Sequence, residues 1–455
     1  MARATVRDLT QGSPMKLVLG FVTPLLFGFV FQQLYNIVDT AIVGRFLGAG
    51  ALAAVGSTGS INFLILGFCM GICSGFAIPI AQCFGAREEV QMRRYVANAA
   101  YLAAAIGVTL AVLTGLACPL MLRAMNTPEE ILGDAVRYTR IIFFGIPATV
   151  LYNMAGGVLR SLGDSRTPVI YLMLASAVNI VLDLVLIMVI PMGVAGAAIA
   201  TVVSQVISGV GCLVTMRRRF TILRCTRDEL RPRAVHARKL LGIGVPMGLQ
   251  YSITALGSVV LQSAVNGLGT VAVAAVTAAS RLSGCFTCMY DALGTTMATF
   301  AGQNMGARKL RRITEGLKAA AVIGIAYSAL AFIVLWLAGK PLIGLFITDS
   351  DASAMQVSTL AYQFLLINSA FYIPLLFVNI VRLSIQGMGY TRLAMFAGVC
   401  EMIARTLVGA FLVPPVGFTA ACFASPVAWI AADLFLFPSY FSVLKKLRMR
   451  LGGEA

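Results

Sequence analysis

The sequence predicts an all-α integral membrane protein: twelve transmembrane helices in two pseudo-symmetric six-helix lobes around a central cavity. Three observations predict it. Of 455 residues, 59% are hydrophobic and only 12% charged, and the mean hydropathy is +0.89. Soluble domains carry roughly 25% charged residues, so this chain lacks the charge to cover a water-facing surface. The second observation is a series of apolar runs of spanning length, and the third is an internal repeat. Barrels alternate polar and apolar residues and do not reach this mean hydropathy, so the spans are helices.

The runs expected to cross the bilayer are 17–44, 52–84, 95–118, 141–159, 168–190, 194–216, 241–265, 271–303, 319–338, 360–381, 393–413 and 418–441. Each meets the need of a spanning helix for about 20 apolar residues. This gives a tail at 1–16, a first lobe at 17–216, a basic loop at 217–240, a second lobe at 241–443 and a tail at 444–455. Residues 1–11 are polar, with no apolar core and no small-residue cleavage site, so no cleaved signal is expected. The 44 glycines suit helices that pack closely without a hydrophobic effect between them.

Charge supports the count. With both termini cytoplasmic, 28 of the 35 Lys and Arg fall in inside segments and five outside: Arg45, Arg123, Arg137, Arg140 and Lys340. Arg281 and Arg405 remain within spans. Cytoplasmic loops of membrane proteins accumulate such cations, which accounts for the net charge of +17 without a nucleic-acid partner. The expected location is therefore the cell membrane, with the lipid bilayer as surroundings. Of ten scattered cysteines most lie in apolar runs, and the pair Cys285 and Cys288 has no second pair or histidine nearby to make a metal site. His236, the one histidine, is expected to be solvated or to face lipid headgroups. Without a nucleophile–base pair or metal ligands, the chain does not read as an enzyme.

The halves repeat. Gln82-Cys-Phe-Gly-Ala-Arg87 matches Gln303-Asn-Met-Gly-Ala-Arg308 at an offset of 221, as do Leu47-Gly48 and Leu268-Gly269. Gly163-Asp-Ser-Arg166 matches Gly389-Tyr-Thr-Arg392 at 226. Two repeats of six spans enter the membrane in the same sense, so their symmetry axis is expected along the membrane normal.

Ionisable residues inside spans are expensive and mark function. Five acids qualify: Asp39, Asp183, Asp291, Glu401 and Asp433. Gln32, Tyr35 and Asn36 precede Asp39 by seven, four and three residues and are expected on its face. Asn179 lies one turn before Asp183. Asn153, Thr201 and Gln205 add oxygens in the same lobe. Two acids with neutral oxygen ligands suit a proton or a Na⁺. In the second lobe, Glu401 and Arg405 stand one turn apart and are expected to pair. Asp291 heads a stripe with Thr295 and Thr299 that either faces a cavity and attracts cations or reaches Arg281.

The run Phe31-Gln-Gln-Leu-Tyr-Asn-Ile-Val-Asp-Thr-Ala-Ile-Val-Gly-Arg45, with Ala51-Leu-Ala-Ala-Val-Gly56, resembles the first helix pair of the MATE (multidrug and toxic compound extrusion) transporters. Gly302-Gln-Asn-Met-Gly-Ala-Arg308 resembles the matching helix end of their second lobe. The resemblance implies a multidrug exporter that exchanges H⁺ or Na⁺ for amphiphilic, often cationic small molecules by alternating access, with no cofactor and as a monomer. It implies cation or proton binding at Asp39, Asn153, Asn179, Asp183 and Thr201, with Na⁺ held at Asp39, Asn179 and Asp183 if that is the ion. Substrate contacts are expected at Gln32, Tyr35, Asn36, Asp291, Glu401 and Arg405. Acids that one branch of the family carries on helices seven and ten are missing here. The nearest alternative is a flippase of lipid-linked saccharides, which would call for more cations within the spans.

Overall fold

A computed structural model describes residues 8–344 and 352–451. Fifteen α-helices and no strand occupy the described residues. The first half holds α1 (Pro14–Ser57), α2 (Gly59–Gly85), α3 (Glu89–Ala124), α4 (Glu129–Phe144), α5 (Ile146–Ser161), α6 (Arg166–Leu184) and α7 (Val194–Arg219). The second holds α8 (Ala234–Asn266), α9 (Thr270–Gly306), α10 (Leu310–Gly344), α11 (Ala352–Ala370), α12 (Tyr372–Gly387), α13 (Thr391–Leu407), α14 (Val413–Val416) and α15 (Phe418–Arg450). Ten spans are individually long and apolar enough to cross a bilayer. The pairs α4–α5 and α11–α12, bent by 43° and 51°, bring the total to twelve when each counts as one span.

Several helices run past the apolar stretch that announces them. The fourth span, expected over 141–159, begins at Glu129, so Arg137 and Arg140 lie on α4 rather than in a loop. Its register is amphipathic, with Leu132, Ala135, Thr139, Ile142 and Phe143 buried. Apolarity marks the lipid-immersed part of a helix, and backbone hydrogen bonding carries the helix beyond it.

The repeat is written into the backbone. Left-handed residues recur in matched pairs: Gly48 (φ 84°) with Gly269 (φ 98°), and Arg87 (φ 60°) with Arg308 (φ 58°). The repeated Gly-Ala-Arg is a helix stop. Arg87 N–H donates to Phe84 O and Glu88 N–H to Cys83 O, while Arg308 N–H donates to Met305 O and Lys309 N–H to Asn304 O. These bonds satisfy the carbonyls left over at the ends of α2 and α9. A π-helical turn also recurs, at Val185–Val189 after α6 and at Val408–Leu412 after α13.

By contacts, the chain divides into two compact units. One contains Thr23–Ser252; the other contains Thr10–Val22 and the chain from Ile253 onward. The division thus falls inside α1 and inside α8, not in the basic loop.

Within the first unit, glycines set the approach of α2 to the start of α8. Gly71 and Gly75 on α2 meet Gly244 and Gly248 on α8, each pair four residues apart. A Cβ on Gly75 would lie 2.5 Å from Gly244 Cα, and one on Gly71 would lie 2.6 Å from Met247 O. Small residues at this spacing let backbones touch. Gly75→Leu is therefore expected to destabilise the protein by at least about 3 kcal/mol, the upper end of ordinary overpacking. A thermal-unfolding series of Gly75→Ala and Gly75→Leu in detergent checks this, with the loss growing with side-chain size.

The basic loop is clamped to α3. Glu229 is buried and accepts from Arg93 Nη2 at 2.9 Å and from Thr226 N–H at 2.7 Å. Asp228 Oδ2 bridges Arg94 and Arg233, each at 3.0 Å. His236, expected to be solvated, is instead buried, edge-on to Tyr95 with ring centroids 4.7 Å apart and 2.9 Å from Gln91 Oε1. Burial first, then Arg233, Arg94 and Lys239, hold His236 below its usual range.

Hydrogen bonds from Arg93 and Thr226 hold the Glu229 carboxyl down at about 2. A carboxyl whose pKa falls on folding stabilises the native state above its unfolded value, roughly 4.3. That stabilisation is lost as pH drops toward the folded value. The clamp is therefore expected to resist pepsin at pH 4 and to be cut in the loop near pH 2, whereas Glu229→Gln is expected to be cut already at pH 4.

Candidate functional site

The first unit brings the two sequence-predicted acids together. Asp39 projects from α1 and Asp183 from the last turn of α6, and their carboxyl groups lie close enough to interact directly. Asp183 is fully buried and Asn179 is 1% exposed. Oδ1 of Asp39 and Oδ1 of Asp183 are buried without a hydrogen-bond partner. Unsatisfied buried acceptors are costly, and here they leave oxygen ligands for a proton or a small cation.

The neighbours fix this pair in place. With its amide oriented to satisfy both ends, Asn179 donates to Asp183 Oδ2 at 2.9 Å and accepts from Thr201 N–H at 3.1 Å. The Thr201 hydroxyl donates to Ala197 O at 3.0 Å and lies beside the Tyr35 hydroxyl. Gln205 on α7 carries a further buried, unpartnered oxygen, Oε1. The π-helical turn Val185–Val189 begins two residues after Asp183; such turns are frequent at functional sites.

Tyr35, Asp39, Asn179, Asp183 and Thr201 thus converge. Asn36 does not join them: it is exposed, and its amide donates to Gln33 Oε1 at 3.4 Å. Positions three and four before Asp39 lie roughly 60° to one side of it and roughly 40° to the other, so only one of the two shares its packing. Asn153 donates to Thr149 O on its own helix at 2.8 Å, and no contact of Asn153 or Gln32 with either carboxyl is seen among the described residues. Sequence reasoning missed Tyr138, whose ring lies within electrostatic reach of Asp39, Asp183 and Tyr35. The amphipathic register of α4 was the signal that could have found it.

The second unit holds a different cluster. Glu401 on α13 is 3% exposed. The expected partner, Arg405, approaches it at 3.8 Å, but the shorter contact comes from Arg382 on α12, at 2.7 Å. Arg382 stands just past the apolar run 360–381, yet α12 continues past it to Gly387. Arg405 also reaches Ser258 Oγ at 3.5 Å. Asp433 on α15 stands within reach of Glu401 and Arg382, with Oδ1 buried and unpartnered. Asp291 is exposed, and the cation it senses is Arg382 rather than Arg281.

A sequence model of the MatE family matches this chain twice, over residues 24–185 and 246–411. The "Probable multidrug resistance protein YpnP" of Bacillus subtilis is 30% identical over 375 residues, 82% of each chain. A protein of Shewanella oneidensis named "FAD transporter" is 27% identical over 340 residues, 73% of this chain and 75% of its own. A solved outward-facing multidrug resistance MATE family transporter superposes with a TM-score of 0.91 at 22% identity, covering 98% of this chain and 99% of its own.

Proposed function

Because the chain belongs to the MATE family of multi-pass membrane transporters, we propose that it is a secondary active exporter. It exchanges H⁺ or Na⁺ for amphiphilic, often cationic small molecules by alternating access. The observation that carries this reading is the adjacent pair of Asp39 and Asp183 carboxyl groups with one buried, unpartnered oxygen on each. Such a pair takes up a proton or a small cation in a membrane and changes its packing when it does. Tyr35, Asn179 and Thr201 transmit that change to α1, α6 and α7, which carry them. The ion and the cargo are coupled because each favours a different state of the protein.

The placement of Lys and Arg supports both termini lying on the cytoplasmic side, and the protein acts as a monomer. It needs no cofactor, only the coupling ion. The test is transport by the purified protein in proteoliposomes loaded with a fluorescent organic cation. Export driven by an imposed H⁺ or Na⁺ gradient supports the reading and names the ion. Export unchanged when both gradients are collapsed overturns it. The same vesicles loaded with FAD test the cargo suggested by the Shewanella relative's name.

A further inference from the structure

In the first unit, residues of α3 and α7 face each other across a gap near the basic loop. Between them lies a groove of about 740 Å³. Its wall is apolar, with Ala100 on α3 and Val210, Leu213 and Val214 on α7, and its rim carries Arg217 and Arg224. The groove continues a stripe on α7: Val203, Val206, Val210, Leu213 and Val214 are all exposed. Their spacing of three and four places them on one helix face. That stripe is lipid-facing, and it leads into the groove.

Among the described residues, the rim arginines have no counter-ion. Asp228 and Glu229, the acids of the adjoining loop, are held by Arg93, Arg94 and Arg233. No described carboxylate pairs with Arg217 or Arg224. A cleft between spanning helices fills with acyl chain, and a basic rim at its mouth selects an anionic headgroup. We propose that this groove binds one anionic phospholipid, its acyl chain against α3 and α7 and its phosphate held by Arg217 and Arg224. The Arg93–Glu229 clamp shapes the groove by holding Phe220, Leu223 and Leu230 over its end.

The full-length protein is extracted with a mixture of phosphatidylglycerol and phosphatidylcholine, and retained lipid is read by native mass spectrometry. Phosphatidylglycerol is expected to stay bound. At about 1 kcal/mol per basic residue, retention weakens roughly fivefold for Arg217→Ala or Arg224→Ala and roughly 25-fold for both. Ala100→Phe fills the groove with the charges intact and is expected to lose the lipid as well. Arg227→Ala, in the same loop but off the rim, leaves retention unchanged. Three results each overturn the proposal: equal retention by the double variant, loss by Arg227→Ala as great as by Arg224→Ala, or displacement of the lipid by millimolar glycerol phosphate. The first removes the site, the second reduces it to a diffuse basic surface, and the third makes its ligand a free phosphate.

Discussion

Asp39→Asn is expected to abolish gradient-driven export while leaving the protein folded. The amide is isosteric with the carboxyl group and able to donate to Asp183, so packing around α1 survives and stability shifts by about 1 kcal/mol, the scale of one hydrogen bond. What disappears is the capacity to take up and release a charge. Asp183→Asn removes the other half of the same device and is expected to act alike. The two groups are close enough to interact, so their effects do not add, and the double variant is expected to transport no worse than either single one. Proteoliposome efflux, measured beside the unfolding midpoint of each variant, separates loss of coupling from loss of fold. Full efflux by folded Asp39→Asn would remove the carboxyl pair from the mechanism. Tyr138→Phe is a milder case. It keeps the ring and removes the hydroxyl within reach of both carboxyls, and it is expected to slow efflux without abolishing it.

The sequence carried the span count and the repeat well, because both rest on physics that acts residue by residue. Hydropathy reports immersion in lipid, and the Gly-Ala-Arg stops end helices through local hydrogen bonds. The pairing of Asp39 with Asp183 was harder to reach. Their separation of 144 residues says nothing of contact; only the cost of placing each acid in a span suggested a common purpose. Errors came where a side chain's surroundings are set by another helix. Asn36 was assigned to the face of Asp39 from spacing alone, though helical geometry splits three- and four-residue neighbours to opposite sides. His236 was read as solvated because its sequence neighbours are basic, whereas Tyr95 and Gln91 on α3 enclose it.

Arg382 shows the same limit, and it leads to the second large effect. Its side chain is 12% exposed and that of Glu401 4%, and the two meet at 2.7 Å. Removing one partner of a buried ion pair strands the other charge, at about 3–5 kcal/mol. Arg382→Ala leaves Glu401 with only Arg405, at 3.8 Å, and is expected to destabilise the protein by about 3 kcal/mol, since that second cation offsets part of the loss. Glu401→Gln leaves two guanidinium groups facing each other without a counter-charge and is expected to cost at least as much. Replacing all three residues together by apolar ones, as Arg382→Met, Glu401→Leu and Arg405→Met, removes every buried charge at once and is expected to recover most of the lost stability. If the cluster is a structural lock between α12 and α13, the folded triple variant exports its cargo at close to the normal rate. Loss of export in a triple variant whose unfolding midpoint has recovered would instead make Glu401 and its arginines part of transport, as a second charged device alongside Asp39 and Asp183.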